Sequence, residues 1–136
     1  GHCPVHNRVK PEDIINAKNT HPNAFVMIHP EASHEARIQA DAVLSTGQMI
    51  DLVARKEHNE YIVVTEKGII HGLKKADPDA RYFVPESIEL LCPNMKKISI
   101  EDILNSLKEE KFKTTVNEIT RIKALSSIEK MLERAE

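Results

Sequence analysis

Tyr61-Ile62-Val63-Val64-Thr65-Glu66-Lys67-Gly68 is the stretch on which the fold turns. Residues 61–65 are β-branched and apolar, the composition of a strand buried on both faces, and the run breaks abruptly into two charges and a glycine. Residues 68–75 then carry helical periodicity that stops before Asp77-Pro78, because a residue preceding proline is pushed out of the helical region. Moving outward, the same unit recurs. Residues 24–29 (AFVMIH), bounded by Asn23 and Pro30, are too short for a typical helix and suit a buried strand. A helix over 33–40 with Ser33 as cap, a strand over 42–44 and a helix over 47–56 lie between the two strands. Residues 81–85 add a fourth strand, and Pro11 with Glu12 and Asp13 opens a helix over 11–19, where proline loses no hydrogen bond and acids face the helix dipole. Strands alternating with helices of this length describe βαβ units. The expectation is an α/β fold, a three-layer αβα domain with a short parallel sheet of about four strands.

Two helices follow. Residues 99–110 begin with Ser99, Glu101 and Asp102 and place Ile100, Ile103, Leu104 and Leu107 on one face. In 116–135, Ile119, Ile122, Leu125, Ile128 and Leu132 recur at intervals of three or four, an apolar stripe that must pack on something, such as the rest of a larger protein. The partition read from this pattern is a leading segment 1–10, a domain over 11–97, and carboxyl-terminal helices over 98–136.

With 136 residues, 40% hydrophobic and 29% charged, the chain has the profile of a folded domain rather than a disordered one. Its 19 basic and 21 acidic residues are interspersed and sum to −2, so no long-range field attracts a polyanion, and nucleic acid is not an expected partner. No apolar run approaches the roughly 18 residues needed to span a bilayer, and residues 1–10 contain no signal-peptide core, so a cytoplasmic protein without a membrane partner is expected. The chain opens at Gly1, without methionine, directly on a dense polar motif, which points to a processed, cleaved or truncated polypeptide.

Ligands of parallel α/β sheets bind at the carboxyl ends of the strands, and here those positions are polar. They read His29-Pro30-Glu31, then Ser45-Thr46-Gly47-Gln48, then Thr65-Glu66-Lys67-Gly68, and after the fourth strand a path through Pro85 to Cys92-Pro93-Asn94-Met95-Lys96. His29 and Glu31 offer a proton acceptor and a carboxylate, while Thr46 at a helix start offers donors to an anion. The set suits a small acidic substrate. A polar residue after a strand is nonetheless more often a helix cap than a catalyst, and Thr46 and Glu66 can be read that way. His21, His34, His58 and His71 read as surface residues. Cys3 and Cys92 lie too far apart for a zinc finger or ferredoxin spacing, so they are either unrelated thiols or ligands brought together by the fold. Two distant cysteines in a cytoplasmic protein are more often unrelated buried thiols, but both sit in proline-bearing polar loops rather than on apolar faces, which leaves a ligand role open.

Gly1-His2-Cys3-Pro4-Val5-His6, followed by Pro11-Glu12-Asp13, resembles the G-x-C-x-V-H segment of quinolinate synthases and the helix after it. The four strand-end motifs resemble later motifs of that family in the same order. The resemblance implies an enzyme of the transferase class that condenses iminoaspartate with dihydroxyacetone phosphate to quinolinate for NAD biosynthesis. It implies three similar αβα domains around a [4Fe-4S] cluster that acts as a Lewis acid, with one cysteine from each domain. Cys3 and Cys92 match two of the three cluster ligands, which makes 1–10 an interdomain loop carrying one of them. His29 and Glu31 match residues that contact substrate and assist proton transfer, and Ser45 and Thr46 match groups that hold carboxylate or phosphate. The third ligand would come from the family's amino-terminal half, so that half is the implied partner and the chain alone is expected to be inactive. Ala32 stands where many members have a cysteine, and Cys92 lacks the nearby cysteines that some members carry. The competing reading is a non-catalytic α/β module that binds a small dicarboxylate or phosphate through the same rim.

Overall fold

Four strands whose side chains alternate between two apolar layers organise the first part of the computed structural model, which describes residues 3–134. Gly1 and His2 of the opening motif and Ala135 of the last expected helix lie outside the described residues. In chain order, a 3-10 turn at His6–Arg8 is followed by α1 (Pro11–Thr20), β1 (Phe25–Ile28), α2 (His34–Arg37), β2 (Ala42–Val43), α3 (Thr46–Ala54), β3 (Glu60–Val64), α4 (Ile69–Ala76) and β4 (Arg81–Phe83). After them come α5 (Ile100–Glu109) and α6 (Glu118–Leu132). The strands form one parallel sheet in the order β2-β1-β3-β4.

The register pairs Val26 with Ile62 and Ile28 with Val64. Because strand side chains alternate, these four point to one face, where they meet Val5, Val9, Ile14, Ala17, Ala36 and Leu90. Met27, Tyr61 and Val63 point to the other and meet Met49, Val53 and Leu73. Thus α1 and α2 cover one face and α3 and α4 the other, the three-layer arrangement that the sequence implies. From β1 the chain steps one way to β2 through α2, then returns past β1 to β3 through α3 on the opposite face. Reversal of both direction and face keeps the crossovers of one hand, and it makes the gap between the ends of β1 and β3 the topological switch point.

Several elements are shorter than their sequence signals. Ser33 caps α2 by accepting the Ala36 N–H at 3.2 Å, but the helix stops at Arg37 rather than running to residue 40. The cause lies in Asp41, whose carboxylate accepts the Val26 N–H at 2.8 Å while its own N–H donates to the Val26 carbonyl at 2.9 Å. This clamp pulls the chain onto the edge of β1. At β4 the strand ends at Phe83, two residues before Pro85, which has no N–H to extend a ladder. Two boundaries are set by reciprocal caps, Ser45 with Gln48 before α3 and Ser99 with Asp102 before α5.

The chain divides between Met95 and Lys96 into two compact units. Residues 5 and 9 of the leading segment belong to the core of the first. In the second, α5 and α6 bury no residue, and Ile119, Ile122, Leu125, Ile128 and Leu132 are all exposed. Successive steps of three residues lag one helical turn by about 60°, so these side chains spiral around α6 instead of forming a straight seam. No helix among the described residues is long and apolar enough to cross a membrane.

Ile62 is fully buried on the central strand β3. Ile62→Ala is expected to destabilise the first unit by about 2–5 kcal/mol in urea unfolding, against less than about 0.5 kcal/mol for the same truncation at exposed Ile38. Equal effects at the two positions would contradict the packing described.

Candidate functional site

The switch point between β1 and β3 is occupied by a histidine that arrives from outside the sheet. Val5 and Val9 anchor the leading segment in the core, and the 3-10 turn between them presents His6, 6% exposed, to the strand ends. His6 Nδ1 lies 3.1 Å from Glu31 Oε2, and its Nε2 lies 2.8 Å from Thr65 Oγ1. A nitrogen facing a carboxylate carries a ring proton, so in its neutral form the ring donates from Nδ1 to Glu31 and accepts the Thr65 hydroxyl proton at Nε2. Thr65 follows β3 and is itself buried. His29, which extends β1 by donating its N–H to the Val64 carbonyl at 3.2 Å, stacks its ring on His6 with centroids 4.2 Å apart and 12° between planes.

The β1–α2 turn folds back on the same cluster. The Glu31 N–H donates to His29 Nδ1 at 3.3 Å, leaving the neutral ring's proton on Nε2, and Glu31 Oε2 lies 3.5 Å from the same Nδ1. Burial first, and the adjacent His6 second, hold the His29 pKa below its ordinary value, while Glu31 pulls the other way and does not prevail. His29 is therefore a neutral imidazole at neutral pH. Glu31 has a half-exposed side chain, so a carboxylate held from below by His6 faces the open rim.

Both cysteines border the same apolar cluster, are half-buried and are free thiols. The Asn7 N–H donates to the Cys3 carbonyl at 2.9 Å, a turn that puts Cys3 and His6 on one side of the segment. The sulfur of Cys3, a ring nitrogen of His6 and a carboxylate oxygen of Glu31 all lie within 4.8 Å of one another. Cys92 is tied to the end of β3. Its N–H donates to Glu66 Oε1 at 3.4 Å, Glu66 Oε2 accepts the Gly68 N–H at 2.7 Å, and the Lys67 N–H donates to the Leu90 carbonyl at 2.8 Å. Glu66 thus links the start of α4 to the cysteine loop.

Of the residues singled out by sequence, the structure brings His29, Glu31 and Cys3 together around His6. Ser45 and Thr46 stand at the neighbouring strand end and make no described bond to that cluster. Ser45 Oγ accepts the Gln48 N–H at 3.4 Å and Gln48 Oε1 accepts the Ser45 N–H at 2.8 Å, so this serine is a cap whose hydroxyl proton remains available to donate. His6 stands in the opening motif with no role that local pattern assigns, and its close spacing to two core valines is the signal that it is buried. His34 and His71 are on the surface, as read, but His21 and His58 are not simple surface groups. They are half-buried, with His21 stacked on Phe83 at 3.6 Å and His58 on Phe25 at 4.3 Å.

Fold and cluster together define a parallel α/β domain with a histidine–carboxylate site, and the Cys3 thiol beside it, at its switch point. The chain belongs to the quinolinate synthetase A family: the family model described as "Quinolinate synthetase A protein" matches residues 1–133. It is 45% identical over 132 residues to the quinolinate synthase of Dehalococcoides mccartyi strain CBDB1, covering 97% of this chain and 43% of that protein. To the quinolinate synthase of Thermodesulfovibrio yellowstonii it is 42% identical over 97% of its length and 43% of the relative's. The same identity holds to quinolinate synthase 2 of Methanosarcina acetivorans, with 97% and 42% covered. The chain thus spans less than half the length of these relatives.

The depressed His29 pKa has a sign that can be measured. Below 6.5, its ordinary value, the unfolded chain takes up a proton that the folded state resists. Stability from this group is therefore full above that pH and lost as pH falls toward the folded value. An NMR titration is expected to place the His29 midpoint below 6.5, and a midpoint at or above it would contradict the burial argument.

Proposed function

We propose that this chain is the carboxyl-terminal portion of a quinolinate synthase, which condenses iminoaspartate with dihydroxyacetone phosphate to quinolinate in cytoplasmic NAD biosynthesis, a transferase reaction. The observation that carries the reading is the meeting of a neutral histidine, a hydrogen-bonded carboxylate and the Cys3 thiol at the switch point, with Cys92 bordering the same apolar cluster. The donor set suits an iron–sulfur cluster, since thiolates are its protein ligands and both cysteines here are unpaired and reachable. Cys3 and Cys92 would hold it, with a third cysteine from the amino-terminal half of the enzyme. When bound, such a cluster supplies a Lewis acid for dehydration.

The remaining roles belong to this chain's side chains. His29 is deprotonated at Nδ1 and carries its proton on Nε2, so the ring can relay protons between substrate and solvent during the dehydrations. Glu31 accepts a proton from carbon or nitrogen of the substrate, and His6 fixes which way its carboxylate points. Thr46 and the free N–H groups at the start of α3, with the Ser45 hydroxyl proton, receive a carboxylate or phosphate. His6 and Thr65 act as positioning residues, since they are buried beneath the rim and touch Glu31 and one another. The isolated chain, lacking the third thiol and the facing domains, is inactive on this reading.

The test uses the intact enzyme. Cys3→Ser and Cys92→Ser should each abolish both the cluster absorbance and quinolinate formation, whereas His29→Ala should keep the cluster and lower kcat about 10²- to 10⁴-fold. A serine variant that retains full cluster and turnover overturns the assignment. Iron and sulfide analysis of the 136-residue chain alone should find less than one cluster per chain.

A further inference from the structure

We propose that Cys3, His6 and Glu31 form a binding site for one divalent transition-metal ion of the zinc class when no cluster is present. Three different ligating atoms, one thiol sulfur, one imidazole nitrogen and one carboxylate oxygen, already lie within 4.8 Å of one another. In a tetrahedral zinc site, ligand edges computed from ordinary zinc bond lengths are about 3.3–3.6 Å, so closing the triad takes a shift on the order of 1 Å. The groups that close on the ion are the two partly exposed ones, Cys3 and the Glu31 side chain. His6 is the fixed element, held in the core between Val5 and Val9.

The surroundings of His6 decide which nitrogen binds. Nε2 is occupied by Thr65 Oγ1 at 2.8 Å inside the fold, so Nδ1, 3.1 Å from Glu31 Oε2, is the ligand atom. On binding, the ion replaces the proton between His6 and Glu31. The ring proton shifts to Nε2 and is donated to Thr65, whose hydroxyl turns to accept, and the Cys3 thiol releases its proton to solvent. One proton leaves per ion bound. The Thr65 hydroxyl then serves as the outer partner that orients a metal-bound imidazole. Thiolate and carboxylate together carry two negative charges against the ion's two positive ones. Sulfur with nitrogen selects zinc or cobalt over magnesium or calcium, which take oxygen ligands. Three protein ligands leave a fourth position for water or a substrate oxygen.

The site does not depend on the cluster reading, because it does not use Cys92. Only its consequence, that zinc and cluster compete for the Cys3 sulfur, rests on that proposal. The experiment adds Co²⁺ as probe to the reduced, cluster-free 136-residue chain. One ion per chain should bind with a thiolate-to-cobalt charge-transfer band, displaced by Zn²⁺. Cys3→Ser should remove the band. Glu31→Gln, on an exposed side chain, and His6→Ala should each weaken binding at least tenfold. Cys92→Ser should leave the affinity unchanged, although the same change in the intact enzyme is predicted to remove the cluster. Should His6→Ala fail to fold by circular dichroism, Glu31→Gln still decides the matter. A band that survives Cys3→Ser, an affinity untouched by Glu31→Gln, or binding that needs Cys92 overturns the site and leaves the cluster assignment standing.

Discussion

The pairing of β1 with β3 is the constraint on which the molecule depends. Both strands are buried on both faces, so their register is set by two cores at once: Val26, Ile28, Ile62 and Val64 in one, Met27, Tyr61 and Val63 in the other. A slip of one residue would exchange every side chain between layers of different shape. That rigidity carries past the last apolar pair. His29 follows Ile28 and Thr65 follows Val64, so the partnership of Ile28 with Val64 delivers a histidine and a hydroxyl side by side at the point where the crossovers diverge. The site is where two well-specified strands run out of hydrophobic residues.

His6 converts that adjacency into a site. A buried imidazole with no partners would cost free energy, and here both ring nitrogens are bonded, one to Glu31 and one to Thr65. The bonds join three separate pieces of chain: the leading segment, the β1–α2 turn and the end of β3. His29 adds a stacking surface, and its proximity to His6, with burial, disfavours its protonation. The cluster therefore combines groups of opposite tendency, a ring kept neutral beside a carboxylate that remains accessible. Holding such groups in different states is what proton-transfer chemistry needs.

Much of the sheet was legible because β-branched runs of four to five residues broken by prolines and charges have few readings other than buried strands, and the caps at Ser33, Ser45 and Ser99 mark helix starts by local chemistry alone. The early end of α2 was not legible, since it follows from Asp41 reaching across to the Val26 N–H, a contact between elements that no local pattern announces. The site divides in the same way. His29 and Glu31 stand two residues apart after a strand, and topology implies their placement. His6 reaches Glu31 from 25 positions away through packing of Val5 and Val9, which sequence can register only as a hydrophobic spacing. The stacking of His21 on Phe83 and His58 on Phe25 was hidden for the same reason: an imidazole is polar in composition and flat in contact.

Cys3 has a double allegiance that follows from where the leading segment sits. On one side the Asn7-to-Cys3 turn presents its sulfur with His6 and Glu31; on the other, its body borders the cluster that Cys92 also borders. A mixed sulfur, nitrogen and oxygen set suits a single borderline ion, whereas a cluster is held by cysteine sulfurs, of which this chain has two. The outcome is then set by supply rather than by geometry. On the cluster reading, a third thiol from the rest of a longer enzyme would tip the balance toward iron and sulfide, and without it the hard donor next to Cys3 would leave the three-ligand arrangement as the closest complete site. On the readings proposed above, assembly of the cluster is a contest for one sulfur, and the carboxylate that loses a metal ion in that contest is the one that becomes free to work on substrate.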